Sequence, residues 1–96
     1  MKDKVSRVVW RKRVAKQLAK LPDFIQKKFY AWLMAVEFAG ISAVRERPGF
    51  HDEPLKGSRY GQRSVRLNRS YRAIYIERGG IEIELIEVIE VNKHEY

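Results

Sequence analysis

The 96-residue sequence predicts an α+β fold, in which a helical hairpin packs on a small antiparallel sheet that is mixed at one edge. Two observations predict this class. Residues 11–40 repeat their apolar side chains with a helical period, whereas residues 62–91 are rich in β-branched side chains that alternate with polar ones. A β-branched segment precedes the helices, so the expected order is β-α-α-β-β-β. At 11.4 kDa we expect residues 1–96 to form a single domain.

The first half predicts one strand and two helices. Val5–Trp10 is β-branched and aromatic, which favours a strand. Residues 11–21 predict an amphipathic helix, because three apolar residues recur at +4 and +7: Val14, Leu18 and Leu21. Pro22 ends this helix and begins a second one, with Asp23 as its expected cap. The second helix should end at Gly40, and its core stripe is Ile25, Phe29, Trp32, Val36 and Ala39.

The second half changes to a strand period. A brief helical turn capped by Ser42 and a loop that runs to Gly61 should separate the helices from the sheet. Three strands are then expected, over residues 62–68, 71–77 and 81–91. The last of them slips in its alternation near Leu85-Ile86 and again near Val88-Ile89, which predicts bulges or a strong bend.

The charge is strongly positive and unevenly spread. Twenty Lys and Arg against twelve Asp and Glu give a net charge of +8 and a pI of about 10.0. Such a balance indicates a polyanionic partner, above all nucleic acid. Residues 79–96 have the opposite sign, with one basic and five acidic side chains. Within this acidic segment, the strand over residues 82–90 can pair across a dimer or offset the neighbouring arginines.

The hydropathy pattern indicates a cytoplasmic protein without a membrane partner. The apolar stretch Ala31–Val36 is far shorter than the ~20 residues that span a bilayer. The Met-Lys-Asp-Lys start lacks the apolar segment of a signal peptide.

The residue inventory restricts the chemistry. Because the sequence has no cysteine, disulfides, zinc fingers, iron–sulfur centres and thiol catalysis are excluded. His51 and His94 are the only histidines, carboxylates do not cluster at ligand spacing, and no glycine-rich phosphate loop is present. We therefore expect neither a metal site nor a cofactor. Catalysis would use carboxylate, imidazole, guanidinium, ammonium or phenol groups.

Cleavage of RNA needs only such groups. A base deprotonates the 2′-OH, cations stabilise the crowded phosphate oxygens, and an acid protonates the leaving 5′-oxygen. Arginine suits the second role because its fork matches two phosphate oxygens. The predicted hairpin has an arginine at every third position: Arg63, Arg66, Arg69 and Arg72. Glu53 and Lys56 precede them, and His94 and Tyr96 follow at the end of the sequence.

The most specific motifs are EPLKG at residues 53–57, SVRL at 64–67 and YRAIY at 71–75. Together they resemble the RelE, YoeB and HigB toxins of bacterial toxin–antitoxin pairs, and the resemblance covers nearly the whole chain. The spacing of the arginines and the His-x-Tyr ending at residues 94–96 are similar to the YoeB branch. A helix junction at Leu21-Pro22, after a strand ending in tryptophan, is also similar.

The resemblance implies a RelE-like fold and a defined activity. It implies a ribosome-dependent, metal-independent endoribonuclease that cuts mRNA in the A site by 2′-OH attack and thereby inhibits translation. The implied partners are a cognate antitoxin that covers the basic site, the ribosome with its rRNA, and mRNA. An autoregulatory DNA complex formed together with the antitoxin is implied as well.

The resemblance also implies roles for single residues. Glu53 is similar to the general base of the YoeB branch, and Lys56 supports the site. Arg66 and Arg72 are similar to its phosphate-binding and transition-state arginines. Tyr96 has the position of the terminal tyrosine, where an aromatic ring can stack on or orient a base.

The identity of the general acid stays open. A YoeB-type ending has its histidine directly before the final tyrosine, whereas here Glu95 has that position and His94 is one residue earlier. A shift of one residue turns a strand side chain to the opposite face. The candidates are His94 in a bulged C-terminus, Glu95 and His51.

The remaining basic residues have two interpretations. We expect Arg63 and Arg69 to be rim or phosphate-positioning residues. Lys12, Lys16 and Lys20 either contact rRNA phosphates or form a solvated helix face. Arg72 has the strand parity of two isoleucines and is expected on an apolar face, where an arginine needs a counter-charge or a ligand.

Two other functions are compatible with this fold and charge. One is a ParE-like toxin that poisons DNA gyrase and has no catalytic site. The other is a plain nucleic-acid-binding module. Neither would need Glu53, Arg66, Arg72 and Tyr96 together, so this set of residues distinguishes the enzyme from both alternatives.

Overall fold

The computed structural model describes residues 5–93. Within this range there are five strands: β1 (Val5–Trp10), β2 (Glu53–Pro54), β3 (Arg63–Arg66), β4 (Tyr71–Arg78) and β5 (Ile83–Lys93). The helices are α1 (Lys12–Ala19), α2 (Asp23–Ala39) and α3 (Ile41–Arg45). Short 3₁₀ turns at Pro48–Phe50 and Gly57–Arg59 flank β2. The α+β class is confirmed. No helix of the described part is long and apolar enough to cross a bilayer.

The strands form one sheet in the order β1-β5-β4-β3-β2. β1 runs parallel to β5 and every other neighbouring pair is antiparallel, which confirms a sheet mixed at one edge. Ile74 pairs with Glu90 and Tyr75 with Val88, so Ile89 is the extra residue of a bulge. The irregularity expected near Val88-Ile89 is thus confirmed. The one expected near Leu85-Ile86 is wrong, because the register with β4 is continuous there.

The helices cover one face of the sheet and form the core with it. Trp32, Phe29 and Tyr75 are fully buried there, as expected, and Trp10 is half-buried with its ring 5.5 Å from that of Phe29. Burying one large apolar side chain contributes about 1.5–3 kcal/mol, so this face supplies most of the stability. The aliphatic core residues of the strands are Val8, Val65, Leu67, Ala73, Ile86, Val88 and Val91.

The helix junctions differ in detail from expectation. Pro22, not Asp23, is the N-cap of α2, and Asp23 is the first helical residue, where its charge favours the helix dipole. Gly40 ends α2 and caps α3 with a φ of 89°, a left-handed angle that glycine adopts without strain. Ser42 is therefore a residue of α3 and not its cap. The expected loop to Gly61 contains β2, which the sequence did not predict.

Side chains of the helices accept hydrogen bonds from backbone donors of β1 and β5 that the sheet leaves unpaired. Glu37 Oε2 accepts the Val8 N–H at 3.0 Å, and Gln17 Oε1 accepts the Val91 N–H at 2.8 Å beyond the end of β1. Pairing an edge donor in this way blocks the addition of a foreign strand. The helices thus close one face and one edge, and the opposite face of the sheet stays open.

Candidate active site

The open face of the sheet carries the central residues of the predicted site. Glu53 of β2 pairs with Ser64 of β3, and Arg66 of β3 pairs with Arg72 of β4. Paired residues project to the same side, as do residues two apart on one strand. All four side chains therefore project from one face, and their neighbours Val65 and Ala73 project into the core.

Arg72 is held in place by two oxygens. Its Nη1 donates to Ser64 Oγ at 2.9 Å and to Glu53 Oε1 at 3.3 Å. Only 12% of the Arg72 side chain is exposed, against 59% for Glu53. The counter-charge expected for this arginine is thus Glu53. An exposed carboxylate beside a nearly buried guanidinium leaves oxygen lone pairs accessible to an incoming hydroxyl group.

Arg66 presents unused hydrogen-bonding capacity. Its Nε is buried and has no hydrogen-bond partner within residues 5–93. Leaving a buried donor unpaired costs about 1–3 kcal/mol. Two guanidinium groups directly opposite each other on neighbouring strands also repel. An anion placed between Arg66 and Arg72 would offset the repulsion, so the pair is suited to bind a phosphate.

A loop on the same side of the molecule is fastened to β5. Arg59 Nη2 donates to Glu90 Oε1 at 2.7 Å, and Arg59 Nε donates to Gln62 Oε1 at 2.7 Å. Lys56 is exposed and directly precedes the Gly57–Arg59 turn, so the loop that carries it is anchored by Arg59. No local pattern predicts the contact between Arg59 and Glu90, since the two residues are 31 positions apart.

Arg63 does not join the other two strand arginines. It projects to the helix-covered side, where its Nε donates to Asp52 Oδ1 at 2.6 Å. Burial lowers the pKa of Arg63, but the hydrogen bond and charge of Asp52 outweigh this effect and the pKa is raised. Arg63, expected as a rim or phosphate-positioning residue, thus lies on the side of the sheet opposite to Arg66 and Arg72, with its guanidinium in an ion pair with Asp52.

Asp52 also binds the phenol of Tyr75. Tyr75 Oη donates to Asp52 Oδ2 at 2.5 Å. Burial and the negative charge of Asp52 raise the pKa of Tyr75, so its hydroxyl stays protonated and donates. Arg45 Nη2 lies 3.5 Å from Tyr75 Oη and forms an ion pair with Glu77. This network beneath the sheet was not predicted from the sequence.

The acidic strand offsets arginines within the molecule. Glu87 accepts from Arg78 Nε at 2.7 Å and lies 3.5 Å from Arg11 Nε, while Glu90 binds Arg59. β5 lies between β1 and β4. Where it pairs with both strands, its backbone N–H and C=O groups are already hydrogen-bonded within the sheet. Of the two interpretations of the acidic segment, the structure supports charge compensation.

The other predicted basic residues are more peripheral. Arg69 is exposed in the turn between β3 and β4, where Asn68 Oδ1 accepts the N–H groups of Ser70 and Tyr71. It is next to the ends of the strands that carry Arg66 and Arg72, as a rim residue would be. Lys12, Lys16 and Lys20 are all exposed on or directly after α1, and none projects from the open face of the sheet.

The candidates for the general acid are only partly described. His94, Glu95 and Tyr96 lie outside the described residues. His51 is exposed and has left-handed backbone angles, with a φ of 45°, directly before Asp52 and Glu53. In the described range, no three His, Asp or Glu side chains are grouped to hold a metal ion.

Comparison with known proteins shows the fold. No family model and no curated protein sequence matches this chain. The YoeB/ParE toxin from Agrobacterium tumefaciens is similar with a TM-score of 0.70 at 20% identity, over 93% of this chain and 99% of that one. The archaeal RelE–RelB complex from Pyrococcus horikoshii OT3 is similar with a TM-score of 0.69 at 25% identity, over 93% and 94%. The YoeB–YefM complex from Staphylococcus aureus is similar with a TM-score of 0.68 at 18% identity, over 94% and 97%. The chain thus has the fold of the RelE-superfamily toxins of toxin–antitoxin systems.

Proposed function

We propose that this protein is the toxin of a toxin–antitoxin pair and a ribosome-dependent endoribonuclease of the cytoplasm that cleaves mRNA in the A site. The observation that supports this most strongly is the contact of Glu53 with Arg72 beside Arg66, whose Nε is unpaired within residues 5–93. This arrangement offers a base for a hydroxyl proton and a cationic receptor for the adjacent phosphate, which are the two groups that 2′-OH attack needs first.

In the proposed reaction Glu53 accepts the proton of the 2′-OH, and the oxygen attacks the adjacent phosphorus. Arg66 and Arg72 hold the phosphate oxygens on which negative charge accumulates. Because Ser64 and Glu53 already fix the Arg72 guanidinium, little reorganisation accompanies the step. The 5′-oxygen leaves with a proton from His94, Glu95 or His51. The products are a 2′,3′-cyclic phosphate and a 5′-hydroxyl end, and no metal takes part.

The same site suits an antitoxin segment. A similar structure is the heterotetrameric YoeB–YefM toxin–antitoxin complex from Staphylococcus aureus, which supports a cognate antitoxin here. An acidic or amphipathic segment laid over the open face would be attracted by the net charge of +8 and would cover Arg66 and Arg72. A DNA complex formed together with this antitoxin, for autoregulation, is part of the same proposal.

Primer extension on a defined mRNA in stalled ribosomes tests the proposal. We expect the protein to create a new 5′ end inside the A-site codon, and Arg72→Ala to abolish it. Arg78→Ala is the matched control, because it removes an arginine from the same face of β4 that is paired with Glu87 instead. Cleavage by the control variant should equal that of the unmodified protein. No cut in any codon would contradict the proposal.

The second candidate is a ParE-like gyrase poison, since one similar structure is of a YoeB/ParE toxin. In that case alanine at Glu53, Arg66 or Arg72 would leave toxicity intact, and trapped DNA breaks would replace mRNA cleavage. Survival of cells that express each variant distinguishes the two candidates, because the endoribonuclease loses toxicity with each of these substitutions.

A further inference from the structure

The side chain of Asp52, the residue that precedes the candidate base, is buried, and both of its oxygens accept hydrogen bonds. Only 1% of the Asp52 side chain is exposed. Its Oδ1 accepts from Arg63 Nε at 2.6 Å and its Oδ2 from Tyr75 Oη at 2.5 Å. Both partners lie on the helix-covered side of the sheet, opposite to the face that Glu53 occupies. None of these three groups takes part in the proposed cleavage.

Successive side chains of an extended strand project to opposite faces. When Asp52 is held beneath the sheet, the next residue, Glu53, is directed to the open face. The backbone pairing of β2 supplies little support of its own, since it joins only Glu53 to Ser64 and Pro54 to Arg63. The Glu53 side chain is mostly exposed and, within residues 5–93, has one polar contact, with Arg72 Nη1 at 3.3 Å. The short strand therefore depends on a neighbouring anchor to fix the carboxylate.

We propose that Asp52, held by Tyr75 and Arg63, is a positioning residue that fixes the strand carrying Glu53 and thereby aims the Glu53 carboxylate at the site of proton removal. This inference rests on the proposed function, because it assigns Glu53 the role of base. It assigns a role to a second carboxylate, that of Asp52, which does not contact the RNA.

The chemistry of the anchor fits this role. A carboxylate has two oxygens, so it can accept from the phenol and the guanidinium at the same time. Arg63 neutralises the buried charge, and Tyr75 stays neutral because burial and Asp52 raise its pKa. Charge-assisted hydrogen bonds of this kind are short and directional. They restrict Asp52 to one orientation, and so restrict the peptide that joins it to Glu53.

The test is a double-mutant cycle on the single-turnover cleavage rate with saturating stalled ribosomes. Tyr75→Phe removes only the hydroxyl that binds Asp52. We expect it to slow cleavage about tenfold, since a small misplacement of a reacting group has effects of this size or larger. In a Glu53→Gln background, where no base remains to be aimed, Tyr75→Phe should change the residual rate less than twofold.

Two controls accompany the cycle. Tyr71→Phe removes a hydroxyl from the same face of β4, about 13 Å further along the strand at ~3.3 Å per residue, and should leave the rate unchanged. Thermal unfolding of each variant shows that the fold is retained. If Tyr75→Phe does not fold, Asp52→Asn goes through the same cycle, because it keeps the shape of the side chain and one acceptor oxygen.

The outcomes separate the two proposals. An equal loss from Tyr75→Phe with and without Glu53 would overturn the positioning role, because the network would then act on stability alone. No loss from Tyr75→Phe in the unmodified background would also overturn it. If Glu53→Gln cleaves at the normal rate, the assignment of the base fails instead, and with it the inference that depends on it.

Discussion

At the scale of single residues, the open face of the sheet is organised by how each charge is paired. Arg72 has Glu53 and Ser64 as partners, whereas the Nε of Arg66 is without one in residues 5–93. Arg63, three residues before Arg66, is neutralised by Asp52 on the other side. Arg63 thus has a structural role, Arg72 is already oriented by its partners, and Arg66 is available to an anion. Each of the three arginines therefore has a different expected effect on mutation.

Replacing Arg72 by alanine is expected to slow cleavage by a factor of about 10² or more, while ribosome binding stays nearly unchanged. The reason is that this guanidinium is fixed next to the base and acts on the charge of the transition state. Single-turnover rates and ribosome co-sedimentation measure the two effects separately. A parallel loss of binding would instead make Arg72 a contact that only positions the RNA.

Replacing Glu53 by glutamine should remove the acidic limb of the pH–rate profile, because an amide cannot accept the hydroxyl proton at any pH. The amide keeps the size of the side chain and one oxygen near Arg72. Cleavage rates measured on the same ribosome complex from below the ordinary carboxyl pKa of about 4.3 upward give the profile. A profile identical to that of the unmodified protein would exclude Glu53 as the base.

The pattern of arginines was predictable only in part. Arg66 and Arg72 share a face because the strand period and the hairpin pairing both place them there, and both features are visible in the sequence. Arg63 is an odd number of residues away from Arg66, and its partner Asp52 lies 11 residues upstream. A spacing of three along a strand suggested a common role, but a strand alternates with a period of two.

At the scale of elements, side chains from helices complete the hydrogen bonding of the sheet. Glu37 of α2 binds the Val8 N–H of β1, and Gln17 of α1 binds the Val91 N–H of β5. Ser6 Oγ accepts the Ile41 N–H at 3.1 Å, which fixes the start of α3 against β1. These contacts join residues far apart in the sequence, so they tie the helical half of the chain to β1 and β5, next to the strands that carry the site.

Glu37→Ala should lower the free energy of unfolding by about 1–2 kcal/mol, because the backbone N–H of the nearly buried Val8 loses the carboxylate that accepts its hydrogen bond. Denaturant unfolding with a constant m-value measures the change. Glu46→Ala, at the exposed end of α3, is the matched control and is expected to change the stability by less than about 0.5 kcal/mol. Equal stabilities for the two variants would show that the Glu37 contact contributes nothing.

The order of the main elements was predictable because apolar periodicity determines it. β2 and the two 3₁₀ turns were not predictable in this way. A two-residue strand has no periodicity, and β2 exists only through its pairing with Ser64 and Arg63. Residue preference favours Ser42 as the cap of α3, but Gly40, with its positive φ, supplies the turn two residues earlier. Tertiary pairing decides such short segments.

At the scale of the whole molecule, a net charge of +8 coexists with local compensation. Glu87 and Glu90 neutralise arginines close to the open face, but Arg66 on that face has no ion-pair partner within residues 5–93, and further unpaired positive charge lies on the exposed lysines of α1. This division suits a protein that binds a large polyanion non-specifically and acts on one phosphate within it.

Ribosome binding is accordingly expected to weaken steeply with salt. Changing Lys12, Lys16 and Lys20 together to glutamine should reduce the slope of log K against log salt by about 2–3, if each lysine neutralises one phosphate. Binding measured between about 50 and 200 mM salt checks this expectation. An unchanged slope would assign these lysines to a solvated helix face.

The central claim is that the protein cuts mRNA by attack of the 2′-oxygen, with Glu53 as base and the arginines as phosphate receptors. The most direct measurement places a single 2′-deoxynucleotide at the cleaved position of an otherwise unchanged A-site codon. We predict that this mRNA resists cleavage on the ribosome while the all-ribose mRNA is cut and leaves a 2′,3′-cyclic phosphate. Cleavage of the deoxy-substituted mRNA at the same bond would contradict the claim.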